Sequence, residues 1–257
     1  MDGSRRPVVE FEDFSFQYFS QAEPTLNHID LTIYEGEKVL IVGPSDSGKS
    51  TLGSCINGLI PFSYQGTLQG SLRVCGRETR QESIFKLSRH VGTVLQDTDG
   101  QFIGLSVGED IAFALENECV KQAEMKEVVA KTAALVDMDG LLNASPFELS
   151  GGQKQRVSFA GVMVHDVEIL LFDEPLANLD PATGKTAIDL IDRISREYGK
   201  TIVIIEHRIE DVLYRPVDRV VVVSEGRIVA DMPPDRLMAA GILPPLGIDR
   251  KSTRLNS

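Results

Sequence analysis

Polar and apolar positions alternate through the first part of the chain. "VVEFEDFSFQY" (8–18) and "LNHIDLTI" (26–33) carry apolar side chains at nearly every second position, which predicts strands with one buried face. "EGEKVLIVG" (35–43) ends in an unbroken apolar run instead, the mark of a more buried strand closing at Gly43. A helix is predicted from Lys49 or Ser50 through "STLGSCINGL" (50–59). "GSLRVCG" (70–76) reads as a short strand, and "VGTVLQ" (91–96) as another that leads to Gln96.

The period then changes. Residues 104–149 read as helical: Ser106 and Glu109, three apart, fit a capping box ahead of "VGEDIAFALENE". Met125, Val128, Val129, Thr132, Leu135 and Val136 share one helical face, and Asp139-Gly140 is expected to close that helix. Afterwards the strand pattern returns in "EILLFDEP", "TIVIIEH" and "RVVVVSEGRIVAD", the last a strand pair turning at Glu225-Gly226. Between the first two lies a helix with clear punctuation. Asp180 is its N-cap, Pro181 its first residue and Gly199 its stop. Strand–helix alternation predicts an α/β fold with a mostly parallel sheet, interrupted by a helical insertion.

Composition narrows the function classes. With 42% hydrophobic and 25% charged residues the chain is an ordinary globular protein. A formal net charge of −12 argues against a nucleic-acid partner, since phosphate backbones are met by clustered Lys and Arg. No apolar run approaches the length of a membrane span, and "MDGSRRP" lacks the core of a signal peptide. Cys55, Cys75 and Cys119 stand apart without metal-ligand spacing, so a cytoplasmic protein with reduced thiols is expected.

Chemistry concentrates at three places. Gly43-x4-Gly48-Lys49-Ser50 satisfies the phosphate-loop pattern and lies between a buried strand and a helix, where the free N–H groups of a helix start meet an anion. The candidate nucleotide-binding residues there are Gly43, Pro44, Ser45, Asp46, Ser47, Gly48, Lys49, Ser50 and Thr51. Lys49 is placed to reach the terminal phosphates, and Ser50 to ligate Mg²⁺. In "ILLFDEP", Asp173 can hold Mg²⁺ through water at a strand end, and Glu174 can polarise an attacking water. "LSGGQKQ" (149–155) precedes an amphipathic segment; Ser150, Gly151, Gly152 and Gln153 make a second helix start suited to an anion.

A phosphate loop, "LSGGQ" and a hydrophobic run ending in Asp-Glu, in this order, resemble the ATP-binding subunits of ABC transporters, and the resemblance runs from about Phe11 to Ala239. It implies an α/β P-loop NTPase core with a mostly parallel sheet, an N-terminal antiparallel β subdomain and a helical subdomain inserted at about 97–150. These form one domain over 7–240, followed by a tail, 241–257, expected to be disordered. By the same resemblance Tyr18 stacks on adenine, although as a strand residue beside Phe16 it also reads as core. Gln96 senses Mg²⁺ and the membrane partner, and His207 contacts the γ-phosphate beside catalytic Glu174 and Lys49. "ANLD" (177–180) occupies the dimer-contacting loop, with Ala177 where the family usually has Ser; Asp180 is explained equally by helix capping. Two such subunits dock head to tail, so Ser150 and Gly152 would act on ATP and Mg²⁺ held by a second ATPase subunit.

Asp46 departs from the family, which usually has Gly there. Asp tolerates a left-handed backbone. A carboxylate about 4 Å from a phosphate would cost on the order of 4 kcal/mol at an effective dielectric near 20. An outward-pointing Asp46 that leaves ATP binding in place is therefore expected. A soluble repair-type ATPase would need a long coiled coil between Gln96 and Ser150; the stretch is too short and shows no sustained heptads. Ribosome-associated members usually carry two ATPase units in one chain, whereas this chain has one. A regulatory module impaired by Asp46 would lack Glu174 or His207. "QDTDGQFIGLSVGEDIAFALEN" and "IIEHRIEDV" look like the energy-coupling factor group, importers of vitamins and metal ions, and in particular like the first half of tandem ATPases for thiamine precursors. That implies a peripheral protein on the cytoplasmic face of the cell membrane, gripping a transmembrane coupling protein near Gln96.

Overall fold

The computed structural model describes residues 5–95, 102–177 and 179–243. Two sheets carry the α/β architecture expected above. The first is antiparallel: β1 (Pro7–Tyr18) lies between β2 (Leu26–Tyr34) and β4 (Gly66–Val74), with the two-residue β5 (Arg77–Glu78) at the edge. A register shift between Phe11 and Phe14 resets the alternation of β1, so that Phe11, Phe14 and Phe16 all point into one core.

The second sheet has the order β10-β9-β3-β8-β7-β6. β3 (Lys38–Val42), β6 (Val91–Val94), β7 (Ile169–Asp173), β8 (Thr201–Ile205) and β9 (Arg219–Ser224) run parallel, while β10 (Arg227–Met232) returns antiparallel through Glu225 and Gly226, both at positive φ. Both faces of this sheet are covered, which is why its strands read as unbroken apolar runs. Val39, Ile41, Leu171, Val203 and Ile205 pack toward the antiparallel sheet and α1 (Lys49–Ile56). Leu40, Val42, Phe172, Ile202 and Ile204 pack on the opposite face. There they meet the helices of the second half, α4 (Val107–Asn117), α5 (Gln122–Leu135), α6 (Gly151–Met163) and α7 (Pro181–Tyr198). Leu243 is buried in the same core, so the chain stays packed through that residue; the rest of the expected tail lies outside the described residues.

Four local expectations change. The first helix stops at Ile56, because Gly58 takes φ 81 and packs against Leu87; a short α2 (Leu59–Phe62) follows. β4 starts at Gly66, four residues earlier than its apolar pattern suggested. At Ser106 only half of the capping box forms: its side chain accepts from Glu109 N, but Glu109 reaches back one residue further, to Leu105 N. The helix expected to close at Asp139-Gly140 leaves helical geometry at Asp137, φ 57, and Asp139–Leu141 is a separate 3-10 turn. At α7 the reading holds, with Asp180 Oδ1 accepting from Ala182 N and Thr183 N and Gly199 at φ 62. Three short helices complete the set: α3 (Ile84–Leu87), α8 (Ile209–Leu213) and α9 (Pro234–Ala240).

α7 is pinned to the sheet by charge as well as by apolar packing. Lys38 Nζ of β3 donates to Asp192 Oδ1 of α7, both side chains being more than nine-tenths buried, and Arg196 Nε reaches Asp192 Oδ2 at 3.0 Å. Removing one member of a buried pair strands the other without water or a counter-charge. Asp192→Ala is expected to lower unfolding free energy by about 3–5 kcal/mol, measured by urea denaturation. Lys38→Met combined with Asp192→Leu is expected to recover most of that loss.

Candidate nucleotide site

Three parallel strands end side by side, and the residues that follow each of them face one cleft. After β3 the chain turns into the phosphate loop. Gly43 has no room for a side chain, since a Cβ there would sit 2.0 Å from Val223 O. Asp46 takes φ 58 and is exposed, so the residue that departs from the family pattern does adopt the left-handed backbone expected of it. Gly48, at φ 101, forms the start of α1 without any side-chain cap. The first N–H groups of α1 thus have no side-chain acceptor, and the positive end of the helix faces the cleft.

Lys49 is the cation of this loop. Its Nζ donates to Pro44 O at 2.6 Å and lies 3.5 Å from Ser47 Oγ. Burial pulls its ammonium below the ordinary value, opposed by the charges of Glu174, Asp173, Asp46 and Glu206. At the end of β7, Asp173 is pushed up to about 6, first by burial and then by Glu174, against the pull of Lys49. Its Oδ1 is buried without a hydrogen-bond partner. An orphaned carboxylate oxygen beside a phosphate loop suits a hard dication with oxygen ligands, so Asp173 and the exposed hydroxyl of Ser50 fit Mg²⁺.

Glu174 takes φ 51 and donates its N–H to Ile205 O at 2.8 Å, which holds it against the end of β8. From there its Oε1 meets His207 Nε2 at 2.8 Å. The two residues expected to work together are therefore in direct contact. Tyr18, at the end of β1, is half-buried: its ring meets Phe16 edge-on at 4.7 Å and its hydroxyl lies 3.2 Å from Thr51 Oγ1. It nevertheless lines a cleft of about 510 Å³ together with Gln21, Thr25, Ser45–Thr51, Glu174 and His207.

Ser150, Gly151, Gly152 and Gln153 stand elsewhere. They open α6 in a complete capping box, with Ser150 N donating to Gln153 Oε1 at 2.9 Å and Gln153 N to Ser150 Oγ at 3.4 Å. Ser150, Gly152 and Gln153 border a separate cleft between α6 and α7 and do not line the phosphate-loop cleft. Gln96 and Asn178 lie outside the described residues.

Three residues of this site carried no role in the sequence reading. Glu206 is 3% exposed, yet its carboxylate accepts from His207 N at 2.8 Å, Arg208 N at 3.2 Å and Leu176 N at 3.1 Å. One anion thus joins the segment carrying His207 to the segment following Glu174. Gln155 of α6 donates to Pro175 O, and Arg208 to Leu176 O, which fixes the same segment from two further sides. An acid directly after the buried run "TIVII" was the available signal; nothing local marks Gln155.

Comparison with known proteins agrees with this geometry. A protein of Photobacterium profundum, named as a candidate ABC transporter ATP-binding protein, is 61% identical over 241 residues, 94% of this chain and 43% of the relative. The chain thus spans less than half the length of the curated relatives it matches. CbiO1 from Clostridium perfringens, described as part of the ABC transporter complex CbiONQ, superposes with a TM-score of 0.82 at 30% identity, covering 91% of each chain. The ATP-binding cassette MJ0796, in a dimeric post-hydrolysis state bound to ADP and Pi, gives 0.75 at 26% identity over 88% of this chain and 98% of that one. The pattern of the ABC transporter family itself matches residues 26–177, more than half of the sequence, and the chain belongs to that family.

Proposed function

We propose that this chain is an ATP-binding and ATP-hydrolysing motor of a membrane importer of the energy-coupling factor kind. It works as a head-to-tail pair of ATPase units with ATP at their interface. The observation that carries the reading is the contact between Glu174 Oε1 and His207 Nε2 at the mouth of the phosphate-loop cleft. A carboxylate held by an imidazole beside a buried Lys is an arrangement for orienting water toward a phosphoryl group.

In this reading the uncapped N–H groups of α1 and the Lys49 ammonium take the phosphates, and Tyr18 flanks the base. Glu174 accepts the proton of the attacking water, and His207 keeps that carboxylate in place and faces the γ-phosphate. Ser50, Asp173 and Gln96 would hold Mg²⁺, which when bound neutralises charge on the phosphate oxygens. Asp46 is exposed, so water screens its charge, and the loop remains usable. Ser150, Gly151, Gly152 and Gln153 face away from this cleft and serve the nucleotide of the second unit. The dimeric form of MJ0796 supports that division.

Membrane coupling rests on separate support. Among the described residues no helix is long and apolar enough to cross a membrane, which suits a peripheral position on the cytoplasmic face of the membrane. Ile103 and Leu105 are 63% and 82% exposed, close after Gln96, and Asp110 Oδ1 fixes their loop by accepting from Ile103 N and Gly104 N. Such an apolar edge suits the transmembrane coupling protein. The likeness to CbiO1 supports the energy-coupling factor assignment. Relatives more than twice as long as this chain support its reading as one half of a tandem ATPase.

Three measurements test the site. In the assembled complex, Glu174→Gln is expected to bind ATP with unchanged affinity and to cut turnover by about 10²–10⁴-fold, the usual share of a general base. Unchanged turnover would remove Glu174 from that role. Calorimetric titration of Mg-ATP into the chain and into Asp46→Gly is expected to give affinities within a few-fold of each other; binding by Asp46→Gly alone would mean that the carboxylate blocks the loop. Glu206→Gln, which keeps one acceptor oxygen of two, is expected to slow turnover about tenfold, as for the loss of one hydrogen bond to a charged group. Its ATP affinity is expected to stay within a few-fold, because Glu206 holds the catalytic pair and reaches the phosphate-binding Lys49 only through its charge.

A further inference from the structure

At the opposite end of the parallel strands a second polar cluster takes no part in the nucleotide site. Cys75 Sγ, a ring nitrogen of His90 and a Glu168 carboxylate oxygen all lie within 4.8 Å of one another, and His90 Nδ1 is 2.9 Å from Glu168 Oε1. Among the described residues no other three Cys, His, Asp or Glu side chains converge in this way. The three come from separate elements, and backbone bonds fix each of them. Cys75 occupies the β4–β5 turn at φ 50, its N–H donating to Val8 O at 2.8 Å. His90 precedes β6, and its carbonyl accepts from Glu168 N and Ile169 N. Glu168 precedes β7, and its carbonyl accepts from Thr201 N. All three side chains are half-buried.

We propose that Cys75 Sγ, His90 Nδ1 and Glu168 Oε1 form a binding site for a borderline-soft divalent metal ion of the Zn²⁺ class, with a fourth position open to water. Sulfur, nitrogen and oxygen donors in this mixture select such ions over Mg²⁺ or Ca²⁺. Bonds of about 2.0–2.3 Å place tetrahedral ligands roughly 3.3–3.8 Å apart, so the cluster closes on an ion by small side-chain movements.

The charges balance. Thiolate and carboxylate together neutralise the dication, while Arg6, bound to Glu168 Oε2, is itself matched by Glu35 at 3.3 Å. Arg6 thus holds the free oxygen of the ligating carboxylate, the outer-shell partner that metal-bound carboxylates ordinarily have. Without a metal, burial and then the nearby Glu168 charge push the Cys75 thiol up to about 12, so it stays protonated. On coordination the S–H bond breaks, a bond from sulfur to the metal forms, and the thiol proton leaves to solvent. The proton that His90 Nδ1 donates to Glu168 passes through solvent to Nε2, which frees the Nδ1 lone pair for the metal and keeps the imidazole neutral. The ion would tie the antiparallel sheet, through Cys75, to the parallel sheet, through His90 and Glu168.

The test is a titration of Co²⁺, the spectroscopic stand-in for Zn²⁺, into the metal-free chain without nucleotide. One equivalent is expected to produce a thiolate-to-cobalt charge-transfer band in the near ultraviolet, which Zn²⁺ then abolishes. The band should persist in Cys55→Ser and Cys119→Ser, vanish in Cys75→Ser and need at least tenfold more metal in His90→Ala. No band, or a band undiminished in Cys75→Ser, overturns the site. Thermal unfolding supplies a check that does not require the cysteine variant to fold. Zn²⁺ is expected to raise the Tm of the unaltered chain and to leave that of His90→Ala unmoved; an equal rise in both also overturns it.

Discussion

One buried ammonium faces more negative charge than it can neutralise. Glu174, Asp173, Asp46 and Glu206 all act on Lys49, and burial works against the charge of Lys49 itself. A nucleotide triphosphate brings further negative charge to the same place. The site therefore depends on sources of positive potential that the side chains do not supply. The open start of α1 is one source, and a dication on Asp173 would be the other. Burial first, and then the same excess of negative charge, hold the Asp173 carboxyl up to about 6, and its inner oxygen has no protein donor, an environment that suits a cation.

The topology decides which residues share that field. In a parallel sheet every strand delivers its C-terminal loop to the same edge, so β3, β7 and β8 bring the phosphate loop, Asp173-Glu174 and Glu206-His207 together although they are far apart in sequence. Adjacency alone would leave these loops free to drift. Glu174 N on Ile205 O and Leu176 N on Glu206 Oε2 convert adjacency into fixed distances. A buried carboxylate is costly unless its lone pairs are filled, and three backbone donors fill those of Glu206. Gln155 extends the same brace to α6, the helix capped by Ser150, so the part of the chain proposed to meet a second unit is joined physically to the segment after Glu174.

What could be read from the sequence was what neighbouring residues determine. The phosphate loop, the acids closing "ILLF", the capping of α7 by Asp180 and the turn at Glu225-Gly226 rest on spacings of a few positions, and each is found where expected. What could not be read depends on partners supplied by the fold. Gly58, left-handed where α1 stops, also leaves no room for a side chain beside Leu87 of α3, a neighbour that the local spacing does not announce. Glu109 accepts from Leu105 N and not from the Ser106 N that the pattern assigned, so the backbone path ahead of the helix supplies its partner. Cys75, His90 and Glu168 show no metal-ligand spacing because three different elements bring them together. The first half of β4 is hidden in the sequence because Leu68 is its one large apolar side chain, too few to show an alternation.

Ser150 borders a different cleft from the one that the phosphate loop lines. Its side chain caps α6 through Gln153 N, and Gln153 caps Ser150 N in return, so two of the donors at this helix start are already used internally. The N–H groups that side-chain capping leaves for an anion are those of Gly151 and Gly152. The absence of side chains there lets a large anion approach the backbone. Neither glycine lines the phosphate-loop cleft of its own chain. A helix start suited to an anion that does not line the chain's own phosphate-loop cleft would be completed, under the proposed head-to-tail pairing, by a nucleotide held on a second unit. On that reading half of each ATP site is carried by the other unit, and hydrolysis is a property of the pair.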